Sequence, residues 1–242
     1  MSWGGLHKDS NKNFGNKLSI FSLVLFLFFI SSIILFAFYW NNQKKIKHYY
    51  INRMRFYDKK IIDSIIEGKI NQKDVIDELI SQIERIEFVS YCKVYKKDSE
   101  TLAVEIYERE PLALFKDSAN NFWIVTTDYK VISSNFLLSK SFPIINDKIE
   151  PKFAVQKSYE LLSFLKKIKQ DYPEVYNCTA EIKKEGSNFH IVMKGTRTNI
   201  FLESSSCSEK LPLLTELIRR RDFGKYFKKE LDLRMENLIV VR

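Results

Sequence analysis

Cysteine, histidine, proline and glycine are all scarce in this chain of 242 residues, which has three, three, five and seven of them. Cys92, Cys178 and Cys207 are too few and too far apart for a disulfide framework or a CxxC zinc site. His7, His48 and His190 give no His-rich metal site. The low glycine and proline content excludes a collagen-like or low-complexity chain. With 45% apolar and 14% aromatic residues, a sizeable core forms instead. No Ser, His and Asp arrangement stands out, and Asp128 and Glu203 lack a spacing that would pair them for acid/base work. The stretch FGKYFKK around Gly224 lacks the GxxxxGK[ST] spacing of a phosphate loop. The expectation is therefore a protein that is not an enzyme, with no cofactor, no metal and no small-molecule substrate.

Charge is absent from one long run. Residues 18–40, LSIFSLVLFLFFISSIILFAFYW, hold 23 uncharged residues, and at about 1.5 Å per residue they reach roughly the 30 Å of a bilayer core. Ser19, Ser22, Ser31 and Ser32 are compatible with a helix in lipid, because a hydroxyl bonds back to a carbonyl one turn earlier. Tyr39 and Trp40 sit where an interfacial aromatic belt belongs. The run is too long for a signal peptide and no small-x-small cleavage site follows, so an uncleaved transmembrane anchor is expected, after a tail of residues 1–17.

The chain has 39 Lys plus Arg against 30 Asp plus Glu, for a net charge of +9. A surplus of that size suits anionic lipid or acidic partners. Before the apolar run stand three cations, Lys8, Lys12 and Lys17; residues 41–60 hold seven, Lys44, Lys45, Lys47, Arg53, Arg55, Lys59 and Lys60. Taken literally, the positive-inside rule puts the C-terminal part in the cytoplasm, but long domains translocate largely regardless of flanking charge. Charge alone leaves the orientation open. The basic stretch reads as a solvated linker entering a first strand; a juxtamembrane patch on anionic lipid is the other reading. Arg219, Arg220 and Arg221 at a helix C-terminus complement the helix dipole, with contacts to phosphate or acidic groups as the alternative.

After the apolar run, IKHYYINR reads as a strand. Asp58 caps a helix carrying Ile61, Ile62, Ile65 and Ile66 and closed by Gly68, and Asn71 caps another with the stripe Val75, Ile76, Leu79, Ile80 and Ile83. Two strands follow, FVSYCKVY and TLAVEIYER, and in the second Leu102, Val104 and Ile106 alternate with Ala103, Glu105 and Tyr107. This β-α-α-β-β order fits an α+β domain with both helices on one face of a three-stranded sheet. Pro111 should mark its end. Beyond it come the hairpin FWIVTTD and YKVIS, then a helix over residues 153–170 with Val155, Tyr159, Leu162, Phe164 and Leu165 on its apolar side, ending near Pro173. The strands CTAEIKK, FHIVMKG and TNIFLES follow, with turns at Gly186 and Gly195. Next is a helix capped by Ser208 with Pro212 in its first turns, and a closing strand within LDLRMENLIVVR.

Over essentially its whole length the chain resembles the bacterial division proteins FtsQ and DivIB. The closest local match is FVSYCKVYKKDSETLAVEIYEREPLALF, residues 88–115, whose Leu102, Val104, Ile106, Glu108, Arg109, Pro111, Leu112 and Ala113 follow the family pattern L-x-V-x-[IV]-x-E-R-x-P-[LV]-A. Weaker matches are Val125 with Asp128, Phe142 with Pro143, and the terminal Asp232, Leu233, Arg234 and Asn237. Lys130 stands where the family usually has a glycine.

The resemblance implies a single-pass inner-membrane protein with a POTRA domain over residues 41–115 and a mainly β domain with helices over residues 116–242. It places both domains in the periplasm at the division septum. It also implies a scaffold whose partners are small bitopic divisome proteins of the FtsB and FtsL type, with inner-membrane lipid around the anchor and no nucleic acid. Arg234, Met235, Asn237, Leu238, Ile239 and Val240 are the expected partner-binding residues, along a final strand with an open edge. The competing expectations are a POTRA-type outer-membrane assembly or transport component and a cytoplasm-facing membrane sensor.

Overall fold

The computed structural model describes residues 11–42, 46–70, 75–138, 141–220, 229–235 and 240–242. The chain divides into two compact units, residues 1–50 with 96–102, and residues 51–95 with 103–242. The first contains α1 (Asn11–Asn42), a helix of 32 residues. Within it the window Ser22–Tyr39 has a mean hydropathy of 2.5 and none of its residues is buried, so it is long and apolar enough to cross a membrane. The helix starts ahead of residue 18, inside the stretch expected to be tail. In the same unit Lys47 is tied to Glu100 twice, by its backbone N–H to the carbonyl at 2.8 Å and by an ion pair of 3.0 Å.

The small sheet consists of β1 (His48–Asn52), β2 (Val89–Lys96) and β3 (Thr101–Glu108), in the order β1-β3-β2. Leu102, Val104 and Ile106 are fully buried along β3, as their alternation predicts, although Ala103 is buried too. Helix α2 (Lys60–Lys69) buries Ile62 and Ile66, and α3 (Val75–Ile83) buries Val75, Leu79 and Ile83. Asp58, the expected cap, accepts a bond from the Lys60 N–H at 3.0 Å but stands one residue before the observed N-cap position, Lys59. Gly68 does not stop α2, which closes with the Ile70 N–H on the Ile66 carbonyl at 2.8 Å. Asn71 lies outside the described residues.

The turn after β1 is set by a single carboxylate. Glu108, the last residue of β3, accepts from the backbone N–H groups of Arg55 (2.7 Å), Phe56 (3.0 Å) and Tyr57 (3.0 Å). Tyr57, 1% exposed, stacks on Phe88 with ring centroids 4.6 Å apart and donates its hydroxyl to the Arg109 carbonyl at 3.1 Å. Arg109 donates Nε to the Glu87 carbonyl at 3.1 Å and pairs with Asp128. Adjacent residues of the E-R-x-P motif thus hold the entry to α2 and the β5–β6 turn described next.

Among the described residues the large sheet has nine strands. They are β4 (Pro111–Lys116), β5 (Phe122–Thr126), β6 (Val131–Ser133), β7 (Ile144–Lys148), β8 (Thr179–Glu185), β9 (Asn188–Met193), β10 (Asn199–Glu203), β11 (Glu230–Asp232) and β12 (Val240–Val241). Their order is β12-β11-β10-β9-β8-β7-β4-β5-β6. Pro111 opens β4, so the boundary expected after Phe115 falls inside a strand of this sheet. β7, paired in parallel with both β4 and β8, lies where the sequence showed no strand.

Helices α4 (Ala154–Lys157), α5 (Tyr159–Asp171) and α6 (Pro173–Cys178) connect β7 to β8, and α7 (Cys207–Arg219) connects β10 to β11. Parallel neighbours require such crossovers. Leu161, Leu162, Leu165 and Ile168 of α5, Val175 of α6 and Leu211 and Leu214 of α7 form one core with Ile182, Phe189, Ile191, Ile200, Leu202 and Leu231 of the strands. Two helical expectations need correction. The chain breaks at Ser158 (φ −109°, ψ 15°) and Tyr159, the first residue of α5, is 56% exposed, whereas Leu162, Phe164 and Leu165 are buried as expected. The helix does end next to Pro173, at Asp171, and Pro173 itself begins α6, because proline suits the first helical position. Ser208 lies inside α7, whose preceding residue is Ser206 and makes no side-chain cap bond.

Three substitutions test this architecture. Ile106→Asp places an unpaired carboxylate in a fully buried site and is expected to cost several kcal/mol in thermal or denaturant unfolding, whereas Glu105→Lys, on the solvent-facing side of β3 where the half-buried carboxylate meets Arg53, is expected to cost less, on the order of 1 kcal/mol. Glu108→Ala leaves three amides without their acceptor and is expected to cost about 2–3 kcal/mol.

Candidate interaction edge

β11 lies parallel to β10 and antiparallel to β12, so β12 forms one end of the sheet. The Glu230 N–H donates to the Arg242 carbonyl at 3.1 Å and the Arg242 N–H to the Glu230 carbonyl at 3.0 Å. In an antiparallel ladder such pairs alternate with pairs whose main-chain groups point outward. Asp232 and Val240 therefore face each other as a bonded pair, and the N–H and C=O of Val241 point away from β11, to the side where no strand pairs among the described residues. Val241 is 43% exposed.

Behind this edge a row of side chains crosses the sheet on the face opposite the helices. Lys183 on β8 is level with His190 on β9, His190 with Phe201 on β10, Phe201 with Asp232 on β11, and Asp232 with Val240. His190 stacks on Phe201 with 4.7 Å between centroids and 13° between planes, and an imidazole nitrogen lies 3.2 Å from Asn199 Oδ1. The Arg234 guanidinium sits 5.5 Å from the Phe201 centroid and grips Asp232 with two bonds, Nε to Oδ1 at 2.8 Å and Nη2 to Oδ2 at 2.5 Å. That bidentate bond to arginine holds the buried Asp232 carboxyl below the ordinary carboxylate range and raises Arg234. Leu231 and Leu233 anchor β11 from the helical side, both fully buried. Lys210 of α7, itself buried, donates Nζ to the Met235 carbonyl at 2.8 Å and so holds the chain where it leaves the sheet.

Of the six residues expected to bind a partner, Arg234 is committed to Asp232 and Phe201, Met235 is half exposed, and Val240 is half-buried on the row. Asn237, Leu238 and Ile239 lie outside the described residues. Sequence reasoning passes over Phe201 and gives His190 no role at this face. The signal was available, since alternation in β9 and β10 assigns both to the face away from the core.

Elsewhere the polar clusters are explained locally. Arg219 binds Glu174 on α6 (2.6 Å) and Arg220 binds Glu216 (2.7 Å), which adds ion pairs to the dipole reading. Asp117 accepts from the Asn121 N–H and from Trp123 Nε1, and the tryptophan bond leads in lowering its pKa. In the β5–β6 turn the positive φ falls on Tyr129, at 60°, and not on Lys130, so the lysine at the usual glycine position imposes no strain. Cys92, Cys178 and Cys207 are free; burial raises Cys92 and Cys207 to about 11. Among the described residues no group of His, Cys, Asp and Glu is arranged to hold a metal ion. No family model and no curated protein matches the chain.

The Asp232–Arg234 pair makes the edge pH-sensitive. A carboxyl whose folded pKa lies below its unfolded value stabilises the fold fully above the unfolded value of roughly 4, and that contribution is lost as pH falls through the lowered folded value. Thermal unfolding should therefore separate wild type from Asp232→Asn at neutral pH, with the gap closing in acid.

Proposed function

We propose that this chain is a bitopic scaffold of the bacterial division machinery, of the FtsQ and DivIB kind, anchored by α1 in the inner membrane with its POTRA module and β domain in the periplasm at the septum. It joins proteins and makes or breaks no covalent bond. Supporting the reading is the order of elements: a membrane-length helix, then β1-α2-α3-β2-β3 with the E-R-x-P motif at its exit, then a sheet whose last strand is its edge. The observation that carries the function is the outward-facing main chain of Val241 on that edge. An extended segment of a small bitopic partner of the FtsB and FtsL type adds there as a further strand, gaining main-chain bonds for affinity and side-chain contacts for specificity. Met235 and Val241 supply apolar contact at the same end of the sheet.

Three measurements test this. A fluorescent fusion should gather at midcell in dividing cells, and a reporter active only outside the inner membrane should work when fused after Arg242; uniform distribution, or activity of a cytoplasm-only reporter there, rejects the reading. Val241→Pro removes an outward donor that an edge strand spares, so it should weaken capture of the partner complex while circular dichroism stays unchanged. Val240→Pro should instead lower stability, because it breaks the bond to Asp232.

A further inference from the structure

We propose that the solvent-facing side of the small sheet is a membrane-surface contact that takes anionic phospholipid headgroups, a second hold on the bilayer beside α1. It rests on α1 as a membrane span and is independent of the division reading. Along β2, Cys92 and Val94 are buried while Tyr91, Lys93 and Tyr95 face outward, with both tyrosines 43% exposed. β3 contributes Glu105 and Tyr107 to this side. Arg53 is set beside them by a left-handed backbone (φ 69°) directly after β1.

The rings are fixed in place. Tyr91 stacks on Tyr107 with centroids 4.0 Å apart and planes 13° apart, and the Arg53 guanidinium and Lys93 ammonium lie 4.9 and 5.7 Å from the Tyr107 centroid. Glu105 is absorbed within the group: it accepts from the hydroxyls of Tyr95 (3.1 Å) and Tyr107 (3.3 Å) and lies 3.5 Å from Arg53 Nε. The patch therefore presents tyrosines whose conformations are already ordered, with two cations against one engaged carboxylate.

Aromatic rings with polar tips among cations match a headgroup layer, which is apolar on one side and wet and anionic on the other. The sequence around the patch points the same way. Residues 41–60 hold seven cations and one acid, Asp58, a local surplus of +6 out of +9 for the chain. Arg53 follows Asn42, the end of α1, by eleven residues, so at most about 40 Å of extended chain lies between the patch and the membrane helix. A second copy of the same face would bring like charges together, which disfavours self-association as its use.

The full-length chain reconstituted in lipid nanodiscs provides the test, read by hydroxyl-radical footprinting of tyrosine side chains. Oxidation of Tyr91 and Tyr95 should fall about fivefold in discs containing phosphatidylglycerol relative to phosphatidylcholine discs, the factor for roughly one cation at an anionic surface, while the exposed Tyr159 stays unchanged. High salt, or Arg53→Glu with Lys93→Glu, should restore oxidation. Should that pair of changes disturb the circular dichroism spectrum, Lys93→Gln alone should restore it in part. Equal oxidation in both lipids overturns the proposal, as does protection that follows protein concentration rather than lipid charge, which would mean a second copy. A chain that fails to co-elute with the disc removes α1 as a span and overturns it as well.

Discussion

Glu108 is the point on which the second unit turns. A carboxylate that accepts three consecutive backbone N–H groups fixes the path of residues 55–57 far more tightly than any one of those bonds alone. That path delivers Tyr57 into the core against Phe88 and starts the chain into α2. The next residue, Arg109, binds the Glu87 carbonyl and Asp128, so the turn between β5 and β6 is gripped from the same short segment. Pro111 then opens β4, where its missing donor costs a terminal position rather than a central one. The motif thus has a mechanical meaning without reference to any relative.

How much of this was legible depended on whether the signal was local. The alternation of β2 and β3 and the stripe of α3 were readable because each element carries its own period, and burial follows it at Val94, Ile106 and Leu79. The role of Glu108 was not readable: its partners are backbone amides about fifty residues away, and backbone groups leave no trace in residue type. Placement of β4 with β7 escaped for a related reason. β7 is IINDK, with two apolar residues only, and it is held by parallel pairing to β4 and β8 rather than by a pattern of its own.

The helices between β7 and β8 show a period that holds within one element and fails at its end. Treating residues 153–170 as one helix put Tyr159 on the buried side, but the non-helical backbone of Ser158 makes Tyr159 an exposed first residue, while Leu162, Phe164 and Leu165 are buried as the period requires, together with Leu161 and Ile168. At the candidate edge a terminal strand was legible. The direction of each main-chain group was not, because it depends on the register between Glu230 and Arg242.

The two ends of the large sheet are handled differently, and this bears on the proposed addition of a partner strand. Past β6, Leu137 makes an isolated bridge to Tyr57 and the Leu138 N–H bonds the Phe56 carbonyl at 2.9 Å, so the segment shaped by Glu108 also attends the β6 end. At the β12 end, by contrast, the sheet order stops at Val240–Val241 among the described residues. An unpaired edge invites unwanted pairing unless it is kept short, charged or otherwise specific. β12 is short, and the charged Arg242 and Glu230 flank its register. Those features limit indiscriminate pairing without closing the edge. Asp232 and Arg234 hold the strand beneath it in one register, and a fixed register is what lets an incoming segment be read by its side chains as well as its backbone.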